Sequence, residues 1–133
     1  MKRHREITKN GHIFAIIVRR EFANPGPTFF TPGEFSQQLG TLIHAKGKVV
    51  QRHRHKLVKR EIFRTQEVLV LVEGKVRVDL YDDEGVELKS VILKPGDSIL
   101  LARGGHEVKI LQDAKIIEVK QGPYAGYDDK EFF

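Results

Sequence analysis

The chain has 133 residues, of which 40% are apolar and 31% charged, a composition typical of one globular domain with a core of ordinary size. It has no cysteine, which excludes disulfides, iron–sulfur clusters and thiolate zinc sites and leaves His, Asp and Glu as metal ligands. The net charge of +5 permits anionic partners, but the basic residues are dispersed among acidic ones, so we expect no nucleic-acid binding.

The N-terminal part predicts a strand over residues 13–19. Its apolar run is too short for a signal peptide or a membrane span, so we expect an untargeted cytoplasmic protein that does not enter a membrane. Residues 22–35 hold most of the prolines and predict an irregular connection, with one turn of helix over residues 31–35. A further strand is expected over residues 37–45.

The rest of the chain predicts short strands separated by turns. Residues 68–72 are too few and too β-branched for a helix, and Glu73-Gly74 predicts a hairpin turn into the alternating stretch that follows. Short strands at this spacing are typical of an all-β sandwich or barrel. The predicted strands are 49–55, 68–72, 75–81, 87–93, 98–102, 106–111 and 114–120.

The stretch QRHRHK, residues 51–56, contains two histidines among fixed cations. Side chains alternate between the two faces of a strand, so a strand here puts Val49, Gln51, His53 and His55 on one face and Arg52 and Arg54 on the other. If the first face points inward, the two imidazoles are close enough to share a metal ion. A lone His-x-His is also compatible with two surface histidines.

Further ligands are available downstream. Glu67 opens an apolar strand, where an unpaired buried carboxylate would be costly, so we expect it to have a partner. His106 begins a later strand after Arg103-Gly104-Gly105. Glu61 is the alternative carboxylate, because it also lies between His55 and the apolar strand.

These residues resemble the motifs of the cupin family. Gly47 is followed by five residues and then His53-Arg54-His55, Glu67 by six residues and then Gly74, and Pro95-Gly96-Asp97 precedes His106. The gap of eleven residues between His55 and Glu67 is longer than the family pattern, and the spacing to His106 is one residue short.

The resemblance implies a double-stranded β-helix, or jelly roll, in a single domain over residues 1–133. Residues 1–46 would supply N-terminal strands and a connection, residues 47–120 the barrel core and residues 121–133 a tail. It implies one divalent metal, either iron, manganese, nickel, zinc or cobalt, held by His53, His55, Glu67 and His106. Alternate valines of the strand 68–72 would form an apolar outer face that needs cover from the N-terminal strand or from a second subunit. A homodimer is expected on that ground and because the family that the chain resembles usually dimerises.

The function expected from this resemblance is that of a small metal-dependent enzyme of the isomerase, epimerase or oxygenase type. Its substrate would be a polar metabolite, either sugar-derived or anionic. The alternative is a non-catalytic small-molecule-binding or sensor module of the same fold. Candidate substrate contacts are the guanidinium groups that could grip a carboxylate or phosphate, together with one amide: Arg60, Arg64, Arg103 and Gln51. A solvated loop is the alternative for the first two.

Overall fold

The chain folds into β-strands joined by turns and one long irregular segment. A computed structural model describes residues 3–133, and within that range there is no α-helix, only a 3-10 turn at Gly126–Asp129. No helix of the described range is long and apolar enough to cross a membrane. The strands are β1 (His4–Lys9), β2 (His12–Val18), β3 (Gly26–Phe29), β4 (Gly40–Ile43), β5 (Glu67–Tyr81), β6 (Glu87–Leu93), β7 (Ser98–Leu101) and β8 (Gly105–Lys120).

Six of the strands form one antiparallel sheet that curls into a half-barrel. Strands β1, β2, β7, β5 and β6 follow one another across it, and β8 pairs with β5. The first part of β5 lies between β7 and β8, and its second part lies between β6 and β8. Strands β3 and β4 form a separate hairpin. The all-β prediction is therefore confirmed.

A bend in the middle of β5 and β8 produces the curl. The pairing of the two strands shifts register between Leu71 and Val76. Gly74 has a φ of +90° there, and a β-carbon at this position would collide with the carbonyl group of Asp113 on β8. Only glycine meets both requirements, so this residue allows two long paired strands to turn together.

The two faces of the sheet carry two separate apolar clusters. The concave face buries alternate residues of β5, among them Leu69 and Leu71, against side chains of β2, β6 and β7. The convex face buries Val68 beneath the segment that joins β3 to β4, where Phe30 packs, and beneath Phe22 of the connection before β3. Because successive residues of β5 join different clusters, the direction of each side chain is fixed by burial on both sides.

The structure corrects six of the predicted elements. Residues 49–55 do not form a strand, because no neighbouring strand supplies hydrogen bonds to them. The predicted hairpin at Glu73-Gly74 is instead the bend within β5, and the predicted turn after residue 111 lies within β8. The irregular connection contains β3, which pairs with a strand shorter than the predicted 37–45. Residues 31–35 form a single turn, with Phe35 N donating to Pro32 O, and no helix.

Candidate functional site

The side chains of Glu67 and His106 are in hydrogen-bond contact on the concave face of the half-barrel. Glu67 shares the concave face of β5 with Leu69, and His106 lies opposite Leu80, also on that face. These positions are at opposite ends of β5, yet Nε2 of His106 lies 2.8 Å from Oε1 of Glu67. The bend at Gly74 therefore creates the contact, because it folds the two ends of the sheet toward each other.

The Glu67 carboxylate is buried and only partly satisfied. Its side chain is 10% exposed, and its second oxygen, Oε2, is buried without a hydrogen-bond partner among the described residues. The hydrogen bond from His106 lowers the pKa of Glu67 to about 2, although burial acts in the opposite direction. A buried carboxylate oxygen without a hydrogen bond is costly, so Glu67 favours a cation nearby or a proton shared with the neighbouring Glu118 carboxyl.

Glu118 is a third ionisable group beside this pair, and the sequence did not identify it. It pairs with Leu69 across the β5–β8 ladder and so shares the concave face with Glu67. The interaction between the two carboxyl groups, together with desolvation, raises the pKa of Glu118. The alternation of side chains along a strand could have identified it, because every second residue of β8, here 116, 118 and 120, lies on the same face.

His53 and His55 lie away from this pair, on an exposed irregular segment. We call residues 44–64 the arm; every residue of it is exposed. The centroids of the two imidazole rings are 5.4 Å apart, so one metal ion could contact both. Within residues 3–133, however, no three His, Asp or Glu side chains are arranged to hold a metal ion. The structure thus brings together two of the four predicted ligands.

Three of the four predicted substrate contacts line one polar cavity of about 1040 Å³: Arg60, Arg64 and Arg103. The alternative carboxylate Glu61 lines it too. Arg103 forms a salt bridge with Asp83 and lies over the ring of Phe14 at 5.4 Å. The fourth predicted contact, Gln51, is on the exposed arm, where its backbone carbonyl oxygen lies 2.8 Å from Nδ1 of His53.

This cavity is on the convex side of the sheet. It is lined by Gln66, the neighbour of Glu67, and by Ala102 of the convex cluster. Oε1 of the buried Gln66 accepts hydrogen bonds from Ser36 Oγ and Gln37 N, and Gln37 Nε2 donates to Gln121 Oε1 at 2.9 Å. Adjacent residues on a strand point to opposite faces. The sheet therefore separates the cavity from the Glu67–His106 pair.

Comparisons with known proteins give no relative. No protein-family model matches the chain, no curated protein matches it, and no solved structure matches it.

Proposed function

We propose that this chain is a divalent-metal-binding protein of the cupin type, and that His53, His55, Glu67 and His106 are the ligands. The observation that carries the proposal is the Glu67–His106 contact of 2.8 Å on the concave face, where Oε2 of Glu67 is buried without a hydrogen bond. Sequence spacing selected these two residues, which are 39 positions apart.

A complete jelly roll is the corresponding proposal for the fold. Strand β8 pairs with β5 along one edge, and no described strand pairs with its other edge. The arm has the alternating pattern of a strand around His53 and His55. Pairing of this stretch along the free edge of β8 would close the half-barrel and turn both imidazoles toward the concave face.

The proposed ligand set fits a borderline divalent ion. Imidazole and carboxylate groups suit iron, manganese, nickel, zinc and cobalt, and they leave positions open for a small molecule. When bound, the metal would supply a Lewis acid that polarises a substrate oxygen, or a site for O₂, as in an isomerase, epimerase or oxygenase. The chain's own contribution is a desolvated carboxylate held ionised by the His106 imidazole.

The convex cavity favours the second candidate function, a non-catalytic module that binds a small anionic or sugar-derived ligand. Its three arginines and the buried amide of Gln66 could bind such a ligand. A ligand there would lie across the sheet from Glu67 and His106, too far for chemistry at the proposed metal site. The arrangement is therefore also compatible with a sensor that binds without turnover.

Metal content tests the first proposal. Protein without a His tag is loaded with Co²⁺, gel-filtered and analysed for metal. We expect about one ion per chain in the wild type and strong loss in Glu67→Gln and in the double variant His53→Ala, His55→Ala. The double variant His12→Ala, His44→Ala removes the same number of imidazoles and should keep the ion. Equal metal content in all four proteins would refute the ligand assignment.

Ligand screening separates the two functions. Sugar phosphates and small carboxylic acids are tested by thermal shift on the Co²⁺-loaded protein, and each ligand that binds is then checked for conversion. Turnover that disappears in Glu67→Gln supports the enzyme. Binding without turnover that disappears in the double variant Arg60→Gln, Arg64→Gln and survives in Glu67→Gln supports the sensor.

A further inference from the structure

The convex cavity is large enough to hold a whole small molecule, and its lining carries charges of both signs. Its volume of about 1040 Å³ is at the upper end of the range of ligand pockets. Arginines can bind an oxyanion bidentately, and carboxylates accept hydrogen bonds from hydroxyl groups. A ligand that has one oxyanion and several hydroxyls therefore fits this lining better than a bare polyanion. The charged side chains of the lining are Arg60, Arg64, Arg103, Glu34 and Glu61.

Gln66 adds a buried hydrogen-bond donor to the cavity. Its side chain is 5% exposed, and its Oε1 already accepts hydrogen bonds from Ser36 Oγ and Gln37 N. Its Nε2 makes one contact with the described residues, to Ala102 O at 3.5 Å. This distance is long for a hydrogen bond, and an amide nitrogen carries two hydrogens. Because Gln66 lines the cavity, a ligand oxygen would supply the acceptor that its Nε2 lacks.

Arg103 also lines the cavity, but its guanidinium group already has a partner. Nε and Nη2 of Arg103 both donate to Oδ2 of Asp83, with the Nε contact at 3.2 Å. This edge of a guanidinium group is one that binds a carboxylate or a phosphate bidentately. The Asp83 side chain is 37% exposed and is not part of the cavity lining. An oxyanion in the cavity would therefore compete with Asp83 for the same donors.

Arg64 acts on the same carboxylate. The hydrogen bond from Arg103 lowers the pKa of Asp83, and the charge of Arg64 contributes to the effect. Arg103 follows the end of β7 and Asp83 follows the end of β5, so their contact is set by the sheet. Two guanidinium groups of the cavity lining thus stabilise one oxyanion, the carboxylate of Asp83, beside the cavity.

We propose that the convex cavity binds a small oxyanion that also carries hydroxyl groups, and that this ligand competes with Asp83 for the Nε–Nη2 edge of Arg103. In the free protein Asp83 occupies this edge. In the complex the guanidinium group of Arg103 binds the ligand, and Arg64 and Gln66 donate further hydrogen bonds to it. The proposal rests on the ligand-binding function proposed above for this cavity and not on the metal site. A phosphate ester and a carboxylate share the required chemistry.

Calorimetry on metal-free protein at low salt tests the competition. The probes are glycerol phosphate and glycerate, which carry the two kinds of oxyanion, and glycerol is the neutral comparison. Asp83→Asn should bind the oxyanion probe about two- to fivefold more tightly than wild type, because an ion pair no longer opposes binding. Glu84→Gln removes the same charge from the same turn and should leave Kd unchanged. An equal gain in both variants, or no gain in either, would overturn the competition.

The same titrations locate the site and name the class of oxyanion. Arg103→Gln and Arg64→Gln should each weaken binding at least about tenfold, because each loses a hydrogen bond between charged groups. Lys89→Gln, which removes an exposed cation of β6, is the matched control and should bind like wild type. Binding of one probe alone identifies the ligand group as a phosphate ester or as a carboxylate. Full binding by Arg103→Gln, or no binding of either probe by wild type, would overturn the proposal.

NMR of the Arg103 Nε–H group follows the competition directly. Its signal is identified by its absence from Arg103→Lys. Saturating the wild type with the bound probe should move this signal, because Nε exchanges Asp83 for the ligand, whereas glycerol should leave it in place. Oxyanion binding that does not move the signal and does not respond to Asp83→Asn would refute the competition and keep the ligand-binding function. No binding by any of the proteins would refute both.

Discussion

Two stretches of this chain are both predicted to be strands, and only one of them pairs with neighbouring strands. Residues 75–81 of β5 alternate between polar and apolar side chains, and they lie between β6 and β8. Residues 49–55 begin with two adjacent valines and end by alternating arginine with histidine, and every one of them is exposed and unpaired. The difference teaches that a sequence pattern compatible with a strand indicates only a local preference for extended backbone. Whether the strand forms depends on a neighbouring edge that the local sequence does not specify.

The largest expected contrast between sheet and arm is in proteolysis. The arm has eight basic residues that are all exposed, whereas cutting within the sheet requires global unfolding. At concentrations low enough for a monomer, trypsin should cut residues 46–64 first, by orders of magnitude in rate. Mass spectrometry of early fragments checks this. Early cuts inside β5 would contradict the contrast.

A matched pair of leucines gives the next largest effect. Leu71 is 1% exposed in the concave core, and Leu57 is fully exposed on the arm. Leu71→Ala should lower the free energy of unfolding of the monomer by about 2–5 kcal/mol, and Leu57→Ala by less than about 0.5 kcal/mol. Urea unfolding of both variants measures the difference. Equal losses would mean that the arm packs on its own chain.

The smallest effect concerns acid stability. The pKa of Glu67 is held at about 2 by the hydrogen bond from His106, below its unfolded value of about 4.3. Ionised Glu67 therefore stabilises the fold above about pH 4.3, and this contribution disappears as the pH falls toward about 2. In His106→Ala we expect the pKa of Glu67 to rise. The stability difference from wild type should accordingly shrink across that pH range.

NMR titration of the Glu67 carboxyl carbon and urea unfolding at several pH values test this expectation. His12→Ala, which removes an exposed histidine of β2, is the control and should leave the titration of Glu67 unchanged. An unaltered pKa of Glu67 in His106→Ala would show that its hydrogen bond with His106 does not hold the carboxylate ionised.

Local patterns predicted much of the sheet. The strand 87–93 matches β6, and 98–102 differs from β7 by one residue, because turn residues bound both. Local sequence patterns could not distinguish a hairpin from a bend at Gly74, since a glycine at positive φ occurs in both. The deciding contact, with Asp113, comes from 39 positions away in the sequence. The sequence pattern did not predict strand β1, because most of its residues are polar and only Ile7 is buried.

The sequence also predicted only part of the candidate site. The spacing of motifs selected Glu67 and His106, and the structure puts them in contact. Arg60 and Arg64 were proposed as substrate contacts because guanidinium groups can bind carboxylate or phosphate, and the structure puts both in the lining of the convex cavity. The sequence specifies which residues share a face of one strand. It does not specify on which side of the sheet a 21-residue irregular segment begins and ends.

The bend at Gly74 also links binding to folding. Glu67 and His106 lie at opposite ends of the same pair of strands, so they meet only after both strands have paired along their length and turned together. A partly folded chain, in which β5 and β8 are paired on only one side of the bend, lacks the contact between Glu67 and His106. Any cation that binds there therefore stabilises the finished fold over every intermediate, and retention of that cation reports that folding is complete.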